Sequence, residues 1–347
     1  MENAAKKNLL VTLADGNYIH QAKQLFSSVY RKAGWKGDYM LMACHIPEND
    51  LKWFREKGIR VRECEPILTQ SERPIGHAPL TTLSKFYLFT PEFRKWENIV
   101  FLDGDIIVKG SLDSLTEIKG FAAAGILNIF RTLLEGQFLK RTKKNGNLYD
   151  ELKNRFDLRR PAFNAGMMAF NSDIIAEDDF QNLKSILFHF RDIINISEET
   201  VLNLYFYGRW QALSQVYNIC PNYEMYLSRC APDEVKGIVC HTYSNFPGRK
   251  PWLPRNKLYA EWKTNLDKAD MMDIGKPQPP RKKLSSKEEA RYDAYLKNLH
   301  IRHFYRFCRY KTGYFYRHSK TRQSADDYLK NHYPGIYKFQ RKLRNKT

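Results

Sequence analysis

Residues 98–105 read Asn98-Ile99-Val100-Phe101-Leu102-Asp103-Gly104-Asp105, an apolar run that passes without a spacer into two carboxylates around a glycine. Such a run lacks the alternation of a half-exposed strand and predicts a strand buried on both faces, as in a parallel sheet covered by helices. In sheets of that kind ligands gather beyond the carboxyl ends of the strands, which is where the two aspartates fall. The flanking sequence agrees. Upstream, residues 8–14 read as a short strand that stops at Asp15-Gly16-Asn17, followed by a helix over 18–32, a strand over 38–44, a helix over 48–57 and a strand over 59–62. Residues 81–89 carry apolar side chains at 83, 86, 87 and 89 and predict a helix that Pro91 ends or restarts. Downstream come a strand over 121–127, a polar and basic stretch over 131–160 read as a lid or insertion, a strand over 162–170, helices over 178–192 and 198–206, and strands over 210–217 and 237–241. The alternation predicts an α/β fold with a mostly parallel sheet and helices on both faces.

A length of 347 residues with 43% apolar and 27% charged content supports a sizeable core and excludes disorder of the whole chain. No apolar run approaches the ~18 residues of a membrane-spanning helix. The apolar residues after Leu9 are too few for a secretory signal, so a cytoplasmic location is expected. Six cysteines without a Cys-x-x-Cys pair suggest neither zinc nor a disulfide framework. Of the net charge of +19, +14 lies in residues 281–347. The sequence therefore divides into a main domain over 1–267, a Pro/Lys/Ser-rich linker over 268–286 and a basic, aromatic, helical region over 287–347.

Three constellations bear on chemistry. Asp103 and Asp105 project from one side of an extended chain about 6.6 Å apart, and the glycine between them lets both approach one cation at about 2.0–2.2 Å. An ordinary Asp-Gly turn at the strand end is the alternative. Cys240-His241 precedes Gly248-Arg249-Lys250-Pro251-Trp252, where a histidine can join a metal shell and a Gly-then-Lys loop can wrap a diphosphate, or where a Pro/Gly loop merely turns. In residues 163–171, FNAGMMAFN, Gly166 suggests close approach of a ligand or backbone, and Asn164 can both donate and accept toward a sugar hydroxyl.

Taken in order, VFLDGDIIVKGSLDSL (100–115), FNAGMMAFN (163–171) and the His…Gly…Lys-Pro-Trp segment, behind a Thr12-Leu13…Tyr18 opening, resemble glycosyltransferase family 8. This is the retaining group that includes glycogenin, bacterial lipopolysaccharide galactosyl- and glucosyltransferases and galactinol synthase. The resemblance spans residues 9–252. It implies a GT-A fold, a UDP-hexose donor and Mn²⁺, with Mg²⁺ as a substitute. By the family pattern Asp103, Asp105 and His241 would ligate the metal and Lys250 would contact the donor phosphates, with Gly248 allowing the loop to close. Gly104 would sit within the dyad. Lys85 would touch the donor, Leu13, Ala14, Asp15 and Tyr18 would hold uracil and ribose, and Asn164, Ala165 and Gly166 would line the sugar pocket. The chain departs from the pattern where the family usually shows Asp-Gln: here Glu198-Glu199 precede Thr200-Val201-Leu202-Asn203. The His-to-Lys loop is also longer, with residues 243–247 inserted.

The implied reaction moves a hexose, UDP-glucose or UDP-galactose being favoured as donor, to a saccharide acceptor in a cell-surface glycolipid or polysaccharide. Glu198, Glu199 and Asn164 are the candidates nearest the transferred sugar, and the glutamates are expected to position it rather than attack it. A self-glycosylating primer and a non-catalytic scaffold that binds membrane or nucleic acid are the alternatives; the presence of Asp103, Asp105, His241 and Lys250 together disfavours the second. Residues 281–347 interleave their charge with 13 Tyr and Phe, as in HFYRFCRYKTGYFYRH. That composition suits peripheral attachment to an anionic membrane surface, or packing of a helical appendix, better than nucleic acid, for which no binding signature is present.

Overall fold

The computed structural model describes residues 7–68, 75, 79–126, 133–219, 239–241, 250–256, 258–276, 278–279, 283–295, 330, 334–335 and 337–338. The chain divides into two compact units, residues 1–293 and 294–347. The basic C-terminal stretch lies almost wholly outside the described residues, as does Gly248.

In the first unit the strands are β1 (Leu9–Asp15), β2 (Asp38–Cys44), β3 (Arg60–Glu63), β4 (Asn98–Leu102), β5 (Ile106–Val108), β6 (Phe121–Gly125), β7 (Phe163–Asn171), β8 (Trp210–Leu213) and β9 (Val239–His241). Seven form one sheet in the order β3-β2-β1-β4-β7-β6-β8, and β5 pairs with β9 in a small antiparallel ribbon. The pairs β1–β2, β1–β4, β2–β3 and β6–β8 are parallel, whereas β7 runs against both its neighbours. The mostly parallel α/β sheet read from the sequence is present. The reversal of β7 is what builds the site. An antiparallel strand starts where its parallel neighbours end, so Phe163–Gly166 meets the carboxyl end of β4, and Asp103 N donates to Gly166 O at 2.8 Å.

Successive residues of the central strands feed opposite faces, as the pleat requires. Leu9, Val11, Ile99 and Phe101 enter one buried cluster, which contains residues of α4 (Asp179–Phe190) and α5 (Ser197–Tyr205). Leu10, Val100 and Leu102 enter the other, which takes in α1 (Ile19–Lys32) and α2 (Glu48–Glu56). Within the first cluster Phe121 and Phe206 stack almost parallel, ring centres 3.9 Å apart, with Phe89, Phe163 and Phe170 around them.

Three local readings change. Residues 131–160 are no lid where they are described: α3 (Gly146–Arg155) buries Tyr149 and Leu152, and Gln137 is fully buried. The reason is that apolar Leu134, Phe138, Tyr149 and Leu152, scattered among lysines, join the main core. Residues 81–89 wind as a 3₁₀ helix, Leu80–Phe89. The strand expected over 210–217 stops at Leu213, where Ser214 caps a 3₁₀ turn, Gln215–Tyr217. Beyond α6 (Tyr259–Asp267) the chain stays on this unit: Met272 and Leu284 are buried, and Tyr30 donates to Lys276 O at 3.1 Å.

Truncating a stacked core ring removes its buried area and leaves a cavity. Phe121→Ala is expected to lower unfolding free energy by about 3–5 kcal/mol in urea denaturation followed by tryptophan fluorescence.

Candidate active site

The site lies at the carboxyl ends of β1 and β4 and at the start of β7. Asp103 and Asp105 follow β4, the first part-exposed and the second buried. Each meets an ammonium from a distant segment. Lys85, on the 3₁₀ helix Leu80–Phe89, places Nζ 2.9 Å from Asp103 Oδ1, and Lys250 places Nζ 2.5 Å from Asp105 Oδ2.

Lys85 is 2% exposed and also donates to Glu198 Oε1 at 3.0 Å and to Ala165 O at 3.2 Å. Burial by itself would push its pKa down, but the carboxylates of Asp103 and Glu198 outweigh it and hold the ammonium above the usual lysine value. Lys250 shows the same balance against Asp105. Thr82 donates to the other oxygen of Glu198 at 2.5 Å.

Glu199 sits one residue on and faces β7. Its Oε2 accepts from Asn164 Nδ2 at 2.7 Å and from Ala165 N at 3.1 Å, and its Oε1 from Gln137 Nε2 at 3.0 Å. Burial raises its pKa; the hydrogen bonds from Gln137 and Ala165 pull the other way, and the balance stands at about 7. Asn203, one turn along α5, clamps the same strand by accepting from Phe163 N and donating to Phe163 O, both at 2.9 Å. Asn164, Ala165 and Gly166 are thereby set from behind by α5.

On the β1 side, Asp15 caps the turn Gly16–Tyr18 by accepting from Asn17 N at 2.9 Å. Ala14 is buried and Leu13 part-buried. The Tyr18 ring meets Trp252 edge-on at 5.7 Å. A Cβ on Gly104 would lie 3.7 Å from the Tyr18 ring, so the tyrosine stands directly against the dyad. Burial raises the Tyr18 hydroxyl above its usual value, with Lys250 opposing and the aspartates adding to the rise. β9 sets the backbone of His241 opposite Ile106, the residue after Asp105.

Of the residues read from the sequence, Lys85, Asp103 and Glu198 are in contact with Ala165, which joins them to Asn164, Gly166 and Glu199, while Asp105 and Lys250 form a second contact group. Thr82, Gln137, Asn203 and Asn218, which donates to Asn164 Oδ1 at 2.9 Å, were not anticipated. Among the described residues no cluster of three His, Cys, Asp or Glu side chains forms a ready-made metal cage. Two carboxylates at one strand end nevertheless fit a hard divalent cation that fills the rest of its shell with phosphate and water oxygens.

A family model described as glycosyl transferase family 8 matches residues 9–255. Among curated proteins, glycosyltransferase GlyB of Streptococcus pneumoniae is 23% identical over 61% of this chain and 48% of its own length. Galactinol synthase 7 of Arabidopsis thaliana is 22% identical over 78% and 80%. The chain spans about half the length of the Streptococcus pneumoniae relatives GlyB and GlyF. Among solved structures, the galactosyltransferase LgtC in complex with donor and acceptor sugar analogues superposes with a TM-score of 0.54 at 17% identity, covering 79% of this chain and 98% of that one. The fold is GT-A.

Removing a buried ammonium leaves its carboxylates uncompensated, so Lys85→Met is expected to cost about 3–5 kcal/mol of stability in urea titration. A carboxyl whose folded pKa of about 7 exceeds its ordinary 4.5 takes up a proton on folding between those values. Its contribution is therefore greatest below that window and is lost as the pH rises through about 7. Against Glu199→Gln, the thermal midpoint of the wild type should fall from pH 5 to pH 8; a constant difference across that range would contradict the assignment.

Proposed function

Because this chain belongs to glycosyl transferase family 8 and is a glycosyltransferase, we propose that it is a retaining, Mn²⁺-dependent enzyme that moves a hexose from a UDP-sugar, UDP-glucose or UDP-galactose, to a saccharide acceptor. The observation that carries this reading is the charge arrangement around the dyad. Asp103, Asp105 and Glu198 against Lys85 and Lys250 leave one net negative charge, which a divalent cation would turn into one net positive charge suited to a diphosphate.

Asp103 and Asp105, with His241, would hold the cation. When bound it supplies Lewis-acid stabilisation of the departing diphosphate. The remaining work falls to the chain. Lys250, part-exposed beside Asp105, reaches toward the same phosphate oxygens as a point charge. Tyr18 and Trp252 offer aromatic surface for uracil, and the β7 start offers Asn164 and the backbone of Ala165 and Gly166 to the sugar hydroxyls.

In the transfer the bond from the anomeric carbon to the diphosphate oxygen breaks, the bond to the acceptor oxygen forms, and the acceptor proton passes to the departing phosphate. Retention by double displacement would need a carboxylate free to attack. Both oxygens of Glu198 are engaged by Thr82 and Lys85, and both oxygens of Glu199 by Asn164, Ala165 and Gln137. These bonds support a positioning role for both glutamates and front-face attack by the acceptor. The basic, aromatic composition of residues 281–347 supports attachment to an anionic, cytoplasmic membrane face, which would bring the enzyme to a glycolipid or polysaccharide acceptor.

A panel of UDP-sugars incubated with Mn²⁺ and scored for hydrolysis to UDP tests the reading. UDP-glucose or UDP-galactose should turn over, EDTA should abolish turnover, and Asp105→Ala should lower it by at least about a hundredfold, the scale of a lost electrostatic stabiliser. Turnover that survives EDTA would contradict the metal assignment, and a trapped glycosyl adduct on Glu198 or Glu199 would overturn front-face attack.

A further inference from the structure

Asn164 is held from two sides. Its Nδ2 donates to Glu199, while its Oδ1 accepts from Gly166 N at 3.1 Å and from Asn218 Nδ2 at 2.9 Å. An amide can present either end to a ligand, and here the donor from Asn218 helps decide which. Asn218 is 4% exposed and closes the 3₁₀ turn Gln215–Tyr217. A three-residue 3₁₀ turn is too short to fix itself, so its position must come from its neighbours.

Those neighbours are on α7, helical over residues 286–295. Asp293 Oδ1 accepts from Gln215 N at 2.7 Å and from Ser214 Oγ at 3.0 Å, which places a carboxylate at the N-terminus of the turn. Four residues earlier, on the same helix face, Glu289 Oε1 accepts from the Tyr217 hydroxyl at 2.7 Å, and that hydroxyl also meets Ser114 Oγ at 3.0 Å. Gln215 Nε2 completes the frame by donating to Gly125 O at 3.0 Å, on β6. The turn is thus pinned at both ends by two acidic side chains from one helix, and the residue that leaves it bonds directly to Asn164.

We propose that α7 is a clasp for the donor-sugar pocket, with Asp293 and Glu289 as positioning residues that act through Asn218 on the Asn164 amide. The inference rests on the reading of Asn164 as a sugar-pocket residue. The clasp explains why an acidic pair stands in a C-terminal stretch otherwise dominated by lysine and arginine: at 289 and 293 the chain needs acceptors. It also separates two functions of the nucleotide-sugar. On the proposed reading the uracil and diphosphate would lie with Tyr18, Lys250 and the dyad, whereas the sugar would meet Asn164.

The test uses the full chain and its Asp293→Ala, Asn218→Ala, double and Asp293→Asn variants. Loss of one well-placed hydrogen bond is worth about tenfold. Asp293→Ala and Asn218→Ala should each lower kcat/KM for UDP-sugar hydrolysis by about that factor, with Kd for free UDP unchanged. The double variant should fall no further than Asn218→Ala alone, and Asp293→Asn, which keeps an accepting oxygen, should recover to within about twofold. Hydrogen–deuterium exchange at residues 163–167 should quicken in Asp293→Ala and not in Asp293→Asn. Wild-type kinetics and exchange in Asp293→Ala, or additive losses in the double variant, would overturn the clasp. Wild-type hydrolysis by Asn164→Ala would instead overturn the sugar-pocket reading, and the exchange measurement would still decide the clasp.

Discussion

One ammonium group organises this site. Lys85 Nζ lies within 3.2 Å of Asp103, Glu198 and the carbonyl of Ala165, and so joins the 3₁₀ helix 80–89, the end of β4, the start of α5 and the start of β7. Water scarcely reaches it, so its charge exists only because two carboxylates share it. The dependence is mutual. Glu198 is almost as deeply buried, and without the lysine it would be an uncompensated anion beside the dyad. The divalent cation and diphosphate proposed here would need several like charges held close together before either arrives. The buried ion pair between Lys85 and its two carboxylates would allow that.

Everything else follows the sheet. β4 delivers the dyad and β1 delivers Asp15 and Tyr18, because parallel strands all end on one side. β7 brings the backbone of Ala165 and Gly166 to the same end because it runs the other way and begins where they stop. α5 then stands behind β7 with three consecutive functions on one helix: Glu198 neutralises Lys85, Glu199 orients Asn164, and Asn203 grips Phe163. Glu199 and Asn203 stand one helical turn apart with Glu198 one residue before them, so a single short helix reaches both Lys85 and the start of β7.

Much of this was legible in the sequence. The strands at 9–15, 38–44 and 98–102 and the helices at 19–32, 48–56 and 197–205 announce themselves by buried runs, helical periodicity and turn residues. The direction of β7 does not, because a strand buried on both faces has the same apolar pattern whichever way it runs. The polar contacts between segments were equally silent. Gln137 lies in a lysine-rich stretch that reads as surface, and nothing local says that its amide crosses to Glu199. Asn218 carries no motif, and its role depends on a turn placed by residues more than seventy positions away. Lys85 was visible as a candidate only through the family pattern; by composition alone it is one lysine among many, and its burial is a tertiary fact.

The two adjacent glutamates show how position outweighs residue type. Glu198 lies against a lysine, and its charge is matched there; Glu199 is held by amides and a backbone N–H, neutral donors that offset only part of the cost of burial, so its pKa climbs to about 7. One helix step therefore separates a carboxylate paired with Lys85 from a carboxyl whose pKa stands at about 7 against the start of β7. Glu198 and Asp103 share the Lys85 ammonium between them. A second permanent anion at Glu199 would add repulsion with no lysine of its own to offset it. The chain instead surrounds Glu199 with hydrogen-bond donors from Gln137, Asn164 and Ala165, which spreads its charge and spends its lone pairs on geometry. An enzyme built to trap the sugar covalently on this carboxyl would have to leave those lone pairs directed at the anomeric carbon.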